Sequence, residues 1–437
     1  MAARSDPARV LVVGCGFGGF HAVRHLERRL GPAAEVTVVA PTDHLLYTPL
    51  LPEVAGGVLD PRDITVPVTG RLRARMVLGR VQDLDLARRV AVSTDPEGRV
   101  RELAWDRLVL AAGSVARAVP VRGLAEHAVA FRTTADATYL RDRVLQQLQL
   151  AAGTDDRAER AERSTFVVIG AGFAGTELTA FLQRLAASFA RRHHGAHRLT
   201  PRWVLVDAGP RVLPEVGERL GARALRVLRR RGVEVRLGTT VAEVSSGGVR
   251  TGDGDVVASR TVVWCGGVAP HPLAQALGLP LDHGRLPVDD RLQVVGAPGI
   301  FALGDLAAVP DLTRPGWSTA PTAQHAMRQG RTVARSVAAS LGRGRSRAYR
   351  HHDLGLAADL GGWQGVARPL GLPVSGPAAR VAARGYHLSA LPGNRARVAT
   401  SWLTGAGRAP LLVHLDLPER PAWPPGYCGA GAGTRST

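Results

Sequence analysis

Two runs of apolar residues, each ending in a cluster of glycines, are the most regular feature of the chain. They read RVLVVGCGFGG at residues 9–19 and TFVVIGAGFAG at residues 165–175. A strand buried on both faces of a parallel sheet has this unbroken apolar pattern, and an amphipathic segment follows each glycine cluster. A second apolar run comes next in each case, EVTVVA in the first and RWVLVDA in the second. The pattern predicts two strand–turn–helix–strand units in one chain.

Further segments extend the two units. Helical periodicity predicts helices at TTADATYLRDRVLQQLQLAAG, ERLGARALRVLRRRG and TAQHAMRQGRTVARSVAASL, and apolar runs predict strands at DRLVLAAGS, VEVRLG, TVVWCGG and IFALGDL. The charged residues 151–164 are predicted to be a hinge or a surface insertion. We therefore expect an α/β fold with two Rossmann-like dinucleotide-binding domains and a C-terminal α+β tail domain. The expected boundaries are 1–135 with 295–345, 136–294, and 346–437.

Composition narrows the classes of function. The length of 437 residues suits two or three domains. The net charge is +19, from 56 basic and 37 acidic residues, yet the chain contains no lysine, a bias typical of a GC-rich genome. The arginines are scattered through helical segments instead of being gathered on one face between aromatic residues. The charge therefore does not predict nucleic-acid binding.

Cysteine usage and the apolar runs exclude other classes. Cys15, Cys265 and Cys428 form no close pair in the sequence, so neither a redox pair nor a disulfide framework is expected, and a buried, inert thiol is favoured for Cys265. No metal-ligand spacing stands out, and we expect no metal. No apolar run reaches the roughly 18 residues of a membrane-spanning helix, and no secretory signal precedes the first strand. A soluble or peripheral protein is expected.

The glycine turns have a specific chemistry. In a turn of this kind the first glycine permits the tight bend, the second lets the backbone approach a pyrophosphate, and the third lets the helix pack on the strand. The amino terminus of the following helix then presents N–H groups to phosphate. One dinucleotide needs one such unit, so two units predict two dinucleotides. The economical pair is FAD with NAD(P)H, because a flavin accepts a hydride from a nicotinamide.

These segments resemble the type II NADH dehydrogenases, the single-chain, non-pumping NADH:quinone oxidoreductases among the flavoproteins with two dinucleotide-binding domains. The resemblance covers roughly residues 8–340 and is carried by VVGCGFGG, PLLPEVAGG, LVLAAGS, VVIGAGFAGTE, IFALGDLAAV and PTAQHAMRQG. It implies that residues 1–135 with 295–345 bind FAD, that residues 136–294 bind NADH, and that a quinone accepts the electrons. The cofactor-binding residues so implied are Gly14, Gly16, Phe17, Gly18, Gly19, Asp43, Pro49, Ala112, Gly113, Gly170, Gly172, Gly175, Asp207, Gly267, Gly304, Asp305, Ala323 and Gln324.

The ends of the second strands differ between the two units. In the family an acid at this position binds an adenosine ribose, and Asp207 occupies it in the second unit. A carboxylate there accepts hydrogen bonds from the ribose hydroxyls and repels a 2′-phosphate, which favours NADH over NADPH. The first unit has Ala40 instead, and either Asp43 or the main chain is expected to hold the FAD ribose.

Three residues are expected to be catalytic. Glu177 matches a family acid between nicotinamide and flavin, where it orients the carboxamide or relays a proton; the alternative is an acid that satisfies the helix dipole. Gln324 would border the flavin and the quinone, and His325 would supply a proton. The alternative for both is that they cap and pack the helix.

The tail combines arginines with aromatic residues. Between Leu360 and Leu415 there is no acid, while Arg368, Arg380, Arg384, Arg395, Arg397, Arg408, Trp363, Tyr386 and Trp402 are present. Such a segment suits docking on the anionic inner face of the cell membrane. The alternative is a subdomain that caps the flavin or mediates a homodimer. Two other functions remain open: an oxidoreductase that serves a soluble iron–sulfur protein, and a flavin-based redox sensor.

Overall fold

The computed structural model describes residues 6–117, 119–195, 197–405, 411–417 and 420–423. The chain forms two compact units. The first comprises Met1–Leu46, Thr65–Val115 and Val268–His352, and the second comprises Tyr47–Ile64, Ala116–Gly267 and Asp353–Thr437. The expected cofactor domains have different boundaries and assign a function to each segment, which a division by contacts does not test. They stay predictions.

The α-helices of the described residues are, in chain order, α1 Phe17–Leu30, α2 Leu51–Ala55, α3 Leu124–His127, α4 Thr134–Gly153, α5 Arg157–Arg163, α6 Phe173–Arg192, α7 Glu218–Arg230, α8 Ala323–Ser340, α9 Pro377–Ala390 and α10 Arg395–Thr404. The strands are β1 Ala8–Val13, β2 Ala34–Ala40, β3 His44–Leu46, β4 Thr65–Pro67, β5 Arg75–Leu78, β6 Arg80–Asp85, β7 Val90–Thr94, β8 Val100–Ala104, β9 Arg107–Leu110, β10 Ser114–Ala116, β11 Ala128–Ala130, β12 Thr165–Ile169, β13 Arg202–Asp207, β14 Val233–Leu237, β15 Val241–Ser245, β16 Gly248–Thr251, β17 Val256–Ala258, β18 Thr261–Trp264, β19 Val268–Pro270, β20 Leu286–Pro287, β21 Ile300–Ala302, β22 Ala307–Ala308, β23 Ala357–Asp359, β24 Gly365–Ala367 and β25 Val374–Ser375.

The first unit is built on a five-stranded parallel sheet. Its strand order is β21–β9–β1–β2–β5, and α1 connects β1 to β2. Strand β1 lies in the middle of the sheet and its residues Val10–Val13 are buried, as its unbroken apolar pattern predicts. Helix α8 packs on α1, and the antiparallel sheet β6–β7–β8 belongs to the same unit.

The second unit repeats this arrangement. Its parallel sheet has the order β11–β18–β12–β13–β14, with β12 in the middle and α6 connecting β12 to β13. Val167, Ile169, Val204, Val206 and Trp264 are part of its buried core. A small antiparallel sheet, β15–β16–β17, accompanies it. The predicted α/β fold with two Rossmann-like units is confirmed.

The tail is α+β, as predicted, and belongs to the second unit. Strands β23, β24 and β25 form an antiparallel sheet, and α9 packs on it. The prolines that interrupt the sequence lie at the boundaries of elements, where a missing N–H does no harm: Pro377 opens α9, and Pro392 lies between α9 and α10. Arg408 and Cys428 lie outside the described residues.

The segment 151–164, predicted to be a hinge or a surface insertion, contains a helix that the sequence analysis did not predict. Part of it is the short helix α5, because the Asp156 carboxylate accepts hydrogen bonds from the N–H groups of Ala158 and Glu159 and caps the helix. Arg163 and Glu159, four residues apart, form an ion pair with an N–O distance of 2.6 Å. The abundance of charges that indicated a surface insertion also stabilises about two turns of helix.

Helices α1 and α8 approach closely at a glycine. A Cβ atom at Gly330 would lie 2.8 Å from both the main-chain nitrogen of Ala22 and the carbonyl oxygen of Gly18. Both neighbours are backbone atoms, so they cannot rotate away as a side chain would. The packing of α8 on α1 therefore depends on a residue without a side chain.

We expect Gly330→Ala to lower the thermal unfolding midpoint, at a cost of about 1–3 kcal/mol, because α8 must move away from α1. The control is Gly385→Ala in α9, where a new Cβ meets no atom within 4 Å. Alanine has the higher helix propensity, so the control should raise the midpoint slightly. Circular dichroism during heating measures both; equal midpoints for the two variants would contradict the close packing.

Candidate functional site

The two glycine turns have the same geometry. Gly14 and Gly170 have positive φ angles, +98° and +110°, which glycine adopts without strain. A Cβ at Gly19 would overlap the carbonyl oxygen of Gly14, and one at Gly175 would overlap that of Gly170. These four positions must be glycine for the turns to close.

The middle glycines border open space. Gly16 and Gly172 are the N-cap residues of α1 and α6, with φ/ψ of −73°/−161° and −71°/−168°, and neither provides a side-chain cap. A Cβ at either position would meet no atom within 4 Å. Each turn thus presents a helix amino terminus to free volume, which fits a dinucleotide diphosphate. Phe17 is the first residue of α1, and Gly18 packs against Leu303.

The acid at the end of β13 is held by its own turn. Asp207 Oδ2 accepts a hydrogen bond from the Ala171 N–H at 2.5 Å, and Oδ1 accepts one from the Gly209 N–H at 2.6 Å. The carboxylate is therefore placed directly beside the second glycine turn. The corresponding strand of the first unit ends at Ala40, and the nearby Asp43 carboxylate is 76% exposed and bonded to the His44 ring at 2.9 Å.

A second acid lies beside the first glycine turn. Asp305 belongs to the 3₁₀ turn Gly304–Leu306 that follows β21, and its Oδ2 accepts a hydrogen bond from Ser114 Oγ at 2.7 Å. Ala111, Ala112 and Gly113 directly follow β9, and Ala111 contacts Gly14. The first unit thus brings Gly14, Ala112, Gly113, Gly304 and Asp305 to the carboxyl end of one sheet.

A buried glutamine that the site prediction omitted supports this acid turn. Gln329 Oε1 accepts a hydrogen bond from the Gly304 N–H at 2.8 Å, and its Nε2 donates to Thr319 Oγ1 at 3.2 Å. Ser114 was also omitted. Both residues lie in the motifs PTAQHAMRQG and LVLAAGS, but helical spacing alone gives no indication that Gln329 turns inward to bond with a main-chain amide.

The start of α8 carries two predicted catalytic residues. Thr322 is the N-cap, Ala323 begins the helix, and the Gln324 side chain is partly buried. His325 is buried, with its Nδ1 2.9 Å from Tyr349 Oη and its ring stacked on His351 at 3.7 Å between centroids. These contacts are those of a packed histidine. The roles of Gln324 and His325 at a reaction centre stay predictions.

Glu177 does not satisfy the helix amino terminus. It is the fifth residue of α6, 92% buried, and its Oε1 accepts a hydrogen bond from the Asp359 N–H at 2.7 Å. Burial raises the pKa of Glu177 well above its usual range; the Asp359 N–H opposes this shift, while the charges of Asp359 and Glu53 add to it. The tail thus reaches the predicted catalytic acid, a contact that no motif indicates. Pro49, in the 3₁₀ helix Thr48–Leu50, and Gly267, in the loop between β18 and β19, also lie in the second unit.

The described cysteines are not arranged for thiol chemistry. Cys15 and Cys265 are free, and burial raises the pKa of each thiol to about 12. A thiol with such a pKa stays protonated and is a poor nucleophile at neutral pH. Within the described ranges there is no group of three histidines, cysteines or acids that could bind a metal ion. In the same ranges no helix combines the length and apolar character needed to cross a bilayer.

Comparisons with known proteins agree with this geometry. The sequence profile of the family described as pyridine nucleotide-disulphide oxidoreductase matches residues 8–330. A curated relative, the type II NADH:quinone oxidoreductase Ndh of Mycobacterium tuberculosis, is 33% identical over 90% of this chain and 87% of its own length. The type II NADH:quinone oxidoreductase of Staphylococcus aureus is 26% identical over 85% of this chain and 92% of its own.

Solved structures show the same fold. The NDH2 of Plasmodium falciparum, solved in complex with NADH, superposes with a TM-score of 0.84 at 16% identity and covers 93% of this chain and 99% of its own. Putidaredoxin reductase, solved in a covalent complex with putidaredoxin, superposes with a TM-score of 0.66 at 22% identity and covers 83% of this chain and 81% of its own.

We expect Gln329→Leu to weaken flavin retention, because it leaves the Gly304 N–H without its acceptor beside Asp305. An unsatisfied buried donor costs about 1–3 kcal/mol, which corresponds to roughly 5–150-fold in the dissociation constant if the cost falls on the bound state. The control is Ser336→Ala on the same helix; its buried hydroxyl has no hydrogen-bond partner in the described part of the chain. Flavin fluorescence after dilution measures both, and equal retention would contradict a supporting role for Gln329.

Proposed function

The chain belongs to the pyridine nucleotide-disulphide oxidoreductase family, and from that premise we propose that it is an FAD-dependent NADH:quinone oxidoreductase that pumps no protons. The observation that carries this function is the pair of equivalent glycine turns in one chain, each backed by a parallel sheet. The function agrees with the activity named for the Mycobacterium tuberculosis relative, which aligns with nine tenths of the chain.

The first unit holds FAD. Gly14, Gly16 and Gly19 shape the turn at the start of α1 so that main-chain N–H groups face the diphosphate. Asp305, oriented by Ser114, lies at the same end of the sheet and would accept hydrogen bonds from the ribityl hydroxyls. Bound FAD would supply a group that takes a hydride from the nicotinamide and gives two electrons to the quinone.

The second unit holds NADH. Gly170, Gly172 and Gly175 form the corresponding turn, and Asp207 is fixed beside it by two main-chain N–H groups. Each carboxylate oxygen retains a further lone pair, so Asp207 accepts a hydrogen bond from a ribose hydroxyl while it holds the turn. Its negative charge repels the 2′-phosphate of NADPH.

Three side chains complete the proposed reaction centre. Glu177, whose pKa is raised by burial, orients the nicotinamide carboxamide or relays a proton to the quinone. Gln324 donates an amide hydrogen bond to the flavin or to the quinone carbonyl. His325 assists through the hydrogen bond between its ring and Tyr349. Disulfide chemistry has no part in this reaction, because Cys15 and Cys265 are unpaired.

The defining test is anaerobic reduction. Addition of NADH to the purified yellow protein should bleach the flavin absorbance, and menadione should restore it. NADPH should bleach it more slowly, because Asp207 faces the 2′-phosphate. A flavin that bleaches but recovers only with an iron–sulfur protein would favour the soluble-acceptor alternative, and bleaching without multiple turnovers would favour the redox sensor.

The tail is proposed to dock the protein on the anionic cytoplasmic face of the cell membrane, where quinones are dissolved. Three of the tail residues that the sequence analysis named for docking do not support it. The side chains of Arg380, Arg384 and Trp402 contact buried acids instead of solvent. The proposal rests on exposed apolar side chains, among which Leu370 is 75% and Leu403 77% exposed; Trp363, Leu372 and Val381 are also exposed. Apolar side chains of this kind enter the interface while neighbouring arginines contact lipid phosphates. A homodimer through the same surface is the rival.

We expect the protein to co-sediment with vesicles that contain anionic lipid, to sediment less in high salt, and to lose binding in the double variant Leu370→Asp, Leu372→Asp. The control is Val256→Asp, an apolar residue in β17 that is 54% exposed. Light scattering on the same samples measures the mass. If the double variant dissociates a dimer but still binds vesicles, the surface serves dimerisation and the docking proposal is wrong.

A further inference from the structure

Three buried carboxylates of the second unit lie around two arginines. Glu53 comes from α2, Glu177 from α6, and Asp359 from the end of β23; their exposed fractions are 3%, 8% and 6%. Arg380 and Arg384, one turn apart on α9, supply the positive charge. Only Glu177 has a place in the proposed reaction, so the burial of the other two acids needs a separate explanation.

Arg384 lies between two of the acids. Its Nη2 is 3.6 Å from Glu53 Oε2, and its Nε is 3.7 Å from Asp359 Oδ2. Arg380 Nε is 3.3 Å from the same oxygen of Asp359. The indole Nε1 of Trp402 donates to Glu53 Oε2 at 2.7 Å, and the Arg384 guanidinium lies 4.4 Å from the centroid of the Trp402 ring. Glu53 is therefore fixed by α9 and α10 together.

Asp359 connects this pair to Glu177. Its N–H donates to Glu177 Oε1 at 2.7 Å, while its carboxylate accepts from the Gly361 N–H at 2.7 Å and faces the arginines. In the described part of the chain no arginine forms an ion pair with Glu177. Arg231 donates to the carbonyl oxygens of Leu360 and Gly361, and the charge of Asp359 acts on both Arg184 and Arg231.

Of the described arginines, only Arg380 and Arg384 form ion pairs with the three acids, while Arg184 and Arg231 interact with the charge of Asp359. Each ionised carboxylate in a buried site is costly. Burial, followed by the charge of Asp359, raises the pKa of Glu53 to about 7, and Arg384, Trp402 and Arg380 oppose the shift. Helix α4 also packs on α2. There Arg141 lies near Gly57 and interacts with the charges of Asp142 and Asp60. Glu53 and Glu177 therefore both bind a proton more tightly than an exposed glutamate does.

We propose that Glu53 is a positioning residue for proton supply: it shares one proton with Glu177 across Asp359, and ionisation of Glu53 keeps that proton on Glu177. This inference rests on the proposed function, in which NADH, one proton from solvent and a quinone give NAD⁺ and quinol. The O–H bond of Glu177 breaks, an O–H bond forms on the quinol oxygen, and solvent reprotonates the carboxylate. Glu53 never touches the substrate and acts through its charge.

The direction of the effect follows from the sign of that charge. Above the pKa of Glu53, its carboxylate repels the Glu177 carboxylate and so favours the protonated form of Glu177. A neutral glutamine at position 53 removes the repulsion, and Glu177 then loses its proton at lower pH. A neutral residue at position 384 removes the cation that lowers the pKa of Glu53, so Glu53 then ionises at higher pH.

The first test measures protonation directly in the protein as purified, without turnover. A pH titration followed by infrared spectroscopy should show a carboxylic-acid carbonyl band that disappears near pH 7, the pKa of Glu53, and a second, from Glu177, that disappears above the usual range of a glutamate. Glu53→Gln should remove the first step and move the second to lower pH. The matched control is Asp63→Asn: Asp63 is equally buried and accepts from Ser401 Oγ at 2.7 Å, but it forms no ion pair among the described residues.

The second test measures turnover with menadione as a function of pH. In Glu53→Gln the fall of kcat at high pH should begin at lower pH than in the wild type, and in Asp63→Asn it should begin at the same pH. A step near pH 7 that survives in Glu53→Gln, or that is lost in Asp63→Asn, overturns the inference. Failure of NADH to bleach the wild-type flavin would instead reject the proposed function, while the infrared titration still decides whether the acids are coupled.

Discussion

In each turn the last glycine lies against the carbonyl oxygen of the first glycine, which leaves no room for a side chain. This exclusion brings the start of a helix against the end of a central strand, at Gly14 and Gly19 in one unit and at Gly170 and Gly175 in the other. The middle glycine then faces open volume, so the same turn that closes the backbone also leaves room for a diphosphate. Every other feature of the two sites is arranged around this approach, including the acid Asp207, which is held by the turn itself.

The second requirement is that the negative charges of buried acids be compensated. Asp305 is partly exposed and bonded to one hydroxyl, whereas Glu53, Glu177 and Asp359 are almost completely removed from water. Buried acids of this kind need cations or protons, and the tail supplies cations through α9. The tail is thus part of the electrostatic environment of the predicted catalytic acid, besides providing an apolar surface.

The arginine content illustrates how one residue type serves different purposes. A strongly basic composition suggested an anionic partner, and scattered arginines suggested codon bias. In the folded protein Arg384 is paired with acids inside the second unit, and Arg107 donates to Ser340 and fastens the end of α8 in the first. Net charge is a sum over the whole chain, so it does not show which arginines form ion pairs with buried acids.

Local patterns were sufficient for the two sheets, the glycine turns and the long helices, because apolar periodicity and positive-φ positions are properties of neighbouring residues. The family motifs were sufficient to locate Asp305 and Asp207 at strand ends. Contacts between distant segments were not accessible in this way: Gln329 reaches back to Gly304, and Asp359 meets Glu177 182 positions earlier in the chain. Such contacts depend on how helices and sheets pack. The pKa of a buried acid depends on its neighbours in the folded structure, and these cannot be read from its neighbours in the sequence.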